Sequence, residues 1–193
     1  MIETADHRKD RLRPRLARSG FWEELLRTIL FVFVVTVLFD MVIPRSLVEG
    51  RSMQPTFETN DRLIVSRLHY MLGRPQRGDI VVFNSINPRE PTTMLIKRVI
   101  GLPGETVSFV DNQVYINGRR LEEPYVVNVC SRCVQDPVTL GPNEFYVLGD
   151  NRPNSVDSRT FGVIHISDIV GEAIFRHWPP TRFGLITGHS YSE

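Results

Sequence analysis

Cysteine is nearly missing from this 193-residue chain, which has two, Cys130 and Cys133, in the order Cys-Ser-Arg-Cys. A four-ligand structural zinc site would need two more ligands. The five histidines (His7, His69, His165, His177, His189) show no motif spacing relative to the pair. A local disulfide, two free thiols, and a metal or redox pair are all open, and the disulfide would require an oxidising compartment. Other absences exclude whole plans of catalysis. The chain has no His-Glu-x-x-His metal motif, no Gly-x-Ser-x-Gly elbow and no Gly-rich phosphate loop. Its scattered histidines leave a Ser-His-Asp triad unsupported, and no metal or cofactor is expected. Asp150 and Asp157 lie in one loop and lack the two-loop character of an aspartic dyad. The net charge of +1 argues against a dedicated nucleic-acid partner.

That charge is unevenly spread. Residues 1–20 carry six basic and three acidic side chains, and the remaining 173 residues carry 17 and 19. The basic tail precedes the one long apolar run, residues 25–43, which as a helix spans about 28 Å, or about 34 Å if it starts at Phe21. Trp22 and Arg27 suit a near interface, and Asp40 falls close to the far end, where a carboxylate costs less than at mid-bilayer. Pro44 stops the helix. No small-x-small site follows, so the run reads as an uncleaved single-pass anchor with its N-terminus cytoplasmic, by the positive-inside rule. The expected layout is a basic tail at 1–20, an anchor at 21–44 and an extracytoplasmic domain at 45–193.

Beyond the run the pattern changes to short β-branched segments separated by turns. Strands are expected at 63–65, 80–83, 94–100, 106–110, 113–116, 145–148, 163–166 and 169–175. Asp111-Asn112 and Asn117-Gly118 supply hairpin signals. Residues 119–142 read as an inserted hairpin or long loop, and Trp178 onward as an irregular end. Trp178, Phe183 and Tyr191 there suit either lipid headgroups or a tail packed on the sheet. The fold class is therefore mainly β, a coiled antiparallel sheet domain preceded by one transmembrane helix.

Three places hold candidate chemistry. Gly50-Arg51-Ser52-Met53-Gln54-Pro55-Thr56 follows the apolar run directly. Its Ser-Met-Gln-Pro has no obvious packing purpose, and a surface turn is the plainer reading. Gly50 permits an unusual dihedral that would turn a hydroxyl and its own N–H toward a carbonyl. On the strand at 94–100, Leu95, Lys97 and Val99 share one face. A buried Lys97 would lose its proton near neutrality and become a general base; an edge-strand lysine reaching water is the plainer alternative. Arg98 beside it suggests a strand that tolerates charge. The third place is the crowded polar loop from Gly149 to Arg159. Ser155 stands out there, because a neutral lysine base needs a partner to fix its direction.

The order of these blocks resembles bacterial type I signal peptidase (leader peptidase). They are an apolar run, Ser-Met-x-Pro-Thr, Lys-Arg-Val-Ile-Gly-Leu-Pro-Gly, Tyr-x-Asn-Gly, then Gly-Asp-Asn-Arg-x-Asn-Ser-x-Asp-Ser-Arg, from about residue 21 to about 175. The resemblance implies a serine/lysine dyad endopeptidase of the bacterial plasma membrane, with a thylakoid membrane as the alternative, that removes signal peptides from exported precursors after a small-x-small motif. It implies Ser52 as nucleophile and Lys97 as base, Ser155 as the serine bonded to that lysine, and the Ser52 N–H as one oxyanion donor. Asp150, Asp157 and Arg159 would form a supporting ion-paired loop. Some members carry a serine two residues before the nucleophile as second oxyanion donor; here that position is Gly50. Substrate would bind as an added strand, expected between the segment before Ser52 and the strand ending near Val82-Phe83. The implied partners are precursor proteins and membrane lipid, with the translocation machinery nearby and no contact with it inferable. Two other readings compete: an anchored, non-enzymatic peptide-binding β-domain, and a self-cleaving serine/lysine peptidase of the repressor type.

Overall fold

Period-2 alternation on two strands shows how the β domain is assembled. In β9 (Glu144–Leu148), Phe145 and Val147 enter one apolar cluster with Val81, Phe83, Val99 and Ile164, while Tyr146 and Leu148 enter another with Ile100, Val107, Val114 and Leu140. A strand that is apolar on both faces serves two cores at once. β3 (Ile80–Asn84) does the same, sending Ile80 to a third cluster around Met53, Phe57 and Leu63. The computed structural model describes residues 18–42, 45–86, 93–128 and 136–191.

Among the described residues, twelve strands form two antiparallel sheets. The larger has the order β1 (Arg45–Leu47), β2 (Arg62–Ser66), β11 (Ile169–Trp178), β3, β4 (Met94–Gly101), β9, β10 (Ile164–His165), and β12 (Gly184–Leu185) adds to β11. The smaller has the order β7 (Arg119–Arg120), β6 (Gln113–Ile116), β5 (Thr106–Val110), β8 (Val138–Thr139). The two ends of the 119–142 insert are thus strands on the smaller sheet. Cys130 and Cys133 lie outside the described residues.

Several expectations change. The mainly-β antiparallel domain stands, but the transmembrane helix and the single-pass membrane location do not. Helix α1 spans Arg18–Val42, yet among the described residues no helix is long and apolar enough to cross a membrane. The described side chains of α1 include Glu23, Glu24 and Arg27. The side chain of Asp40 lies outside the described residues. The chain divides into two compact units, one ending at Asp40 and one beginning at Met41.

Of the two sides expected for a substrate strand, the one ending near Val82-Phe83 has no open edge, because β3 pairs with β11 on one side and with β4 on the other. The strand expected at 163–166 stops at His165. There the Asp168 carboxylate accepts from the His165 N–H at 2.8 Å and curls the next residues into a 3-10 turn. β11 instead runs on to Trp178, and β12 pairs with it, so the end of the chain is laid on the sheet. A five-residue helix, α2 (Leu68–Leu72), has no fully buried side chain and packs only Tyr70 partly against the sheet, which is why no apolar period announced it.

Candidate active site

Ser52 sits in the connection between β1 and β2. Gly50 enters it at φ 93°, the left-handed region where a side chain would be strained. One helical turn follows, closed by the Phe57 N–H on the Met53 carbonyl at 2.9 Å. Met53 and Phe57, four residues apart, both point into the core beneath β2 and β3. Met53 therefore has the packing purpose the sequence hid. It pins the turn, so that Ser52 faces outward from a fixed base.

Lys97 meets it from the sheet. β4 lies between β3 and β9, so the edge-strand reading fails, and Lys97 is 3% exposed. Its Nζ is 2.9 Å from Ser52 Oγ and 2.9 Å from the Ile96 carbonyl oxygen. Burial drives the amine down to about pKa 8, against the opposing pull of Asp157 and Asp150. A buried ammonium loses hydration that these two oxygens replace in part, so the neutral form becomes accessible near neutrality. In that form the Ser52 hydroxyl can donate to Nζ.

The loop after β9 holds both from behind. The Asn151 N–H donates to the Ser52 carbonyl at 3.0 Å, and Asn151 Nδ2 donates to the Arg51 carbonyl at 3.0 Å. A Cβ at Gly149 would lie 2.2 Å from Ser155 Oγ and 2.5 Å from the Ser52 carbonyl oxygen. Glycine is the side chain that lets β9 end against the serine turn. Ser155 Oγ is buried beside Gly149 and makes no hydrogen bond among the described residues. Its expected bond to Lys97 is not formed here. Asp157 accepts from Gly149 N at 3.1 Å and from Arg159 Nε and Nη2 at 2.7 Å each. It also caps α3 (Ser158–Phe161) through the Arg159 N–H.

Asp150 pairs elsewhere. Arg98 Nε and Nη2 donate to its two carboxylate oxygens at 2.9 and 2.7 Å, with both side chains buried. The Thr56 hydroxyl, on the serine turn, also donates to Asp150. Each aspartate thus has its own arginine, which removes the shared-proton dyad. Arg98 is tolerated on β4 through this partner, not through exposure to water. A second buried pair, Arg152 with Glu123, sends Arg152 Nε to the Gly149 carbonyl at 3.0 Å.

Sequence reasoning missed Thr56, Glu123, Arg152 and the contact made by Gly149. Glu123 falls in a segment read as irregular. Asp150 and Arg98 were visible, but as isolated charges on different segments. What the assembled geometry offers is a hydroxyl and a desolvated amine in contact, on a turn fixed from the core side and from the loop side.

The chain is similar to known proteins. The family model described as "Signal peptidase, peptidase S26" matches residues 22–178. A signal peptidase I of Leptolyngbya laminosa is 43% identical over 71% of this chain and 70% of its own. One from Bacillus caldolyticus is 38% identical over 80% of this chain and 90% of its own. Among solved structures, a signal peptidase I from Enterococcus faecalis V583 is 38% identical, covers 52% of this chain and 97% of its own, and superposes with a TM-score of 0.44. With the family model spanning most of the chain and relatives of this identity along it, the chain belongs to the signal peptidase family of serine hydrolases, the serine/lysine dyad peptidases of peptidase family S26.

Proposed function

We propose that this enzyme is an endopeptidase that removes N-terminal signal peptides from exported precursor proteins after a small-x-small sequence, with Ser52 as nucleophile and Lys97 as general base. The observation that carries the reading is the 2.9 Å contact between Lys97 Nζ and Ser52 Oγ at a lysine shielded from water. Neutral Lys97 takes the Ser52 proton as Oγ attacks the scissile carbonyl. The Ser52 backbone N–H is assigned to the developing oxyanion; Gly50 offers no hydroxyl beside it. As the tetrahedral adduct collapses, the Lys97 ammonium returns the proton to the departing amine, and an ester to Ser52 remains. Water, deprotonated by Lys97, then releases the acid. Ser155 is assigned the role of directing Lys97, through a hydrogen bond that its Oγ does not make in this structure, and Asp150, Asp157 and Arg159 that of holding the loop that carries Ser155.

The partners in this reading are precursors bearing signal peptides, and membrane lipid. In favour of lipid, Leu47, Trp178, Phe183 and Leu185 are large apolar side chains left exposed on or beside β1, β11 and β12. Exposed apolar side chains on neighbouring elements suit an apolar partner. The test is incubation of the purified full-length chain with a signal-peptide-bearing precursor, with the cut mapped by mass spectrometry. Ser52→Ala and Lys97→Met should each abolish processing while leaving the fold intact. Processing at the parent rate by either variant would remove the dyad.

A further inference from the structure

The C-terminal segment lies beyond residue 178, where the match to the family model ends, yet it reaches the back of the site. Ile186 donates its N–H to the Ile174 carbonyl at 2.9 Å and packs beside the Met53–Phe57 cluster. The chain then crosses Gly78 so closely that a Cβ there would lie 2.0 Å from the His189 carbonyl oxygen. The Gly78 carbonyl is also an acceptor for Arg98 Nη1, at 2.9 Å. The segment therefore presses on the same residue that holds the arginine.

It ends at Tyr191. The His189 ring stands edge-on to both Tyr191 and Tyr125, with centroids 4.6 and 5.8 Å away. The two tyrosine hydroxyls are hydrogen-bonded to each other. Tyr125 donates its proton to Glu123 at 3.0 Å, so Tyr191 must be the donor between the tyrosines. Tyr125 touches both buried ion pairs that back the loop. Its ring covers the Arg98 guanidinium at 3.9 Å, and its hydroxyl binds the glutamate that holds Arg152. From Arg98 the contacts run through Asp150 to Thr56; from Arg152 they run to the Gly149 carbonyl. A tail that only covered apolar surface would not bring a hydroxyl to this junction.

We infer that Tyr125 and Tyr191 are positioning residues for the reaction: the C-terminal segment is a strap that keeps water from the Arg98–Asp150 and Arg152–Glu123 pairs and so fixes the Gly149–Asn151 loop against Ser52. The inference rests on the reading of Ser52 and Lys97 as the catalytic pair, and its first measurement needs no activity at all. Amide hydrogen exchange is compared at Gly149 and Asn151 in the full chain, in Tyr191→Phe, in Tyr125→Phe and in a chain ended after Ile186. Losing one directed hydrogen bond should speed exchange about five- to tenfold, and losing the strap should speed it more. The second measurement is kcat and KM for precursor cleavage. The strapless chain should lose about tenfold or more in kcat with KM nearly unchanged, as expected when the reacting atoms move slightly. Tyr191→Phe should lie between it and the parent.

Unchanged exchange in both Tyr191→Phe and the shortened chain overturns the strap, whatever the activity. So does faster exchange with kcat at the parent value in a parent that cleaves. If the parent cleaves no precursor while exchange at Gly149 and Asn151 responds, the strap stands and the peptidase reading falls. Should the shortened chain fail to fold, Tyr191→Phe decides alone, since it keeps the ring and removes one hydroxyl.

Discussion

Lys97 and Arg98 are consecutive on β4 and equally buried, yet their surroundings are opposite. Arg98 gives two hydrogen bonds to Asp150 and lies under the ring of Tyr125. Lys97, among the described residues, forms no ion pair and reaches only neutral oxygens, Ser52 Oγ and the Ile96 carbonyl. Burial works against both charges. For Arg98 the bonds to Asp150 outweigh that penalty, so its pKa is raised; for Lys97 burial dominates and its pKa falls to about 8. Alternation along one strand thus places a fixed cation and a titratable amine back to back. The fixed one anchors the scaffold and the titratable one faces the hydroxyl.

Activity should follow the neutral fraction of Lys97. Below about pH 8 the amine is protonated, so kcat/KM for precursor cleavage should fall about tenfold per pH unit. A kcat/KM profile that stays flat well below pH 8 would falsify Lys97 as the base.

The same shift acts on stability, with a definite sign. Between the folded value near 8 and the ordinary 10.5 the unfolded chain binds more protons than the folded one, so stability rises with pH across that window. Below about pH 8 the full penalty of a buried lysine is present. Lys97→Met removes it, so the inactive variant should unfold at higher temperature than the parent at neutral pH. The gain should be about 1–3 kcal/mol and should vanish above the lysine's ordinary pKa. Thermal unfolding followed at neutral and at alkaline pH reads this directly, and a variant less stable than the parent at neutral pH refutes it.

Gly149→Ala tests how tightly the site is built. The added methyl cannot stand 2.5 Å from the Ser52 carbonyl oxygen and 2.2 Å from Ser155 Oγ, so either the serine turn or the loop must retreat. A displacement near 1 Å between reacting groups costs about a hundredfold in rate. The expected result is a kcat lowered by about that factor, KM little changed and a chain that still folds. Near-parental kcat would mean that the loop can yield without moving Ser52.

Much of this was legible in the sequence, for a physical reason. Strand alternation is a local property, and the strands at 106–110 and 113–116 are found with the bounds their turn residues indicated. The contact between Ser52 and Lys97 was legible through the resemblance and the order of motifs. Buried pairs were not, because charge on a strand reads the same whether water or Asp150 receives it. Met53 looked purposeless since its core partners, Leu63 and Ile80, lie on other strands. The helix at the start of the chain is present, but its described part carries Glu23, Glu24 and Arg27 and does not qualify as a span. Of the C-terminal segment, a tail packed on the sheet was one of the two readings its aromatic residues allowed, but its points of attachment were not legible. Its contacts depend on Gly78 and Tyr125, far away in sequence, and no period marks them.

The Arg98–Asp150 pair gives the last prediction. Both side chains are out of water, so removing one leaves a bare charge in the interior, which costs about 3–5 kcal/mol. Arg98→Met and Asp150→Leu should each lower the unfolding midpoint markedly. Asp150→Leu should in addition free the Thr56 hydroxyl, and with it the serine turn. Replacing both together removes the desolvation cost along with the pair, and such exchanges are often neutral for stability. The double variant should therefore recover most of the lost midpoint without recovering activity, because no acceptor remains to tie Thr56 to the loop. Unfolding curves and precursor cleavage measured on the three variants separate the two roles. If activity returned along with stability, the pair would serve the fold alone and the link through Thr56 would carry nothing.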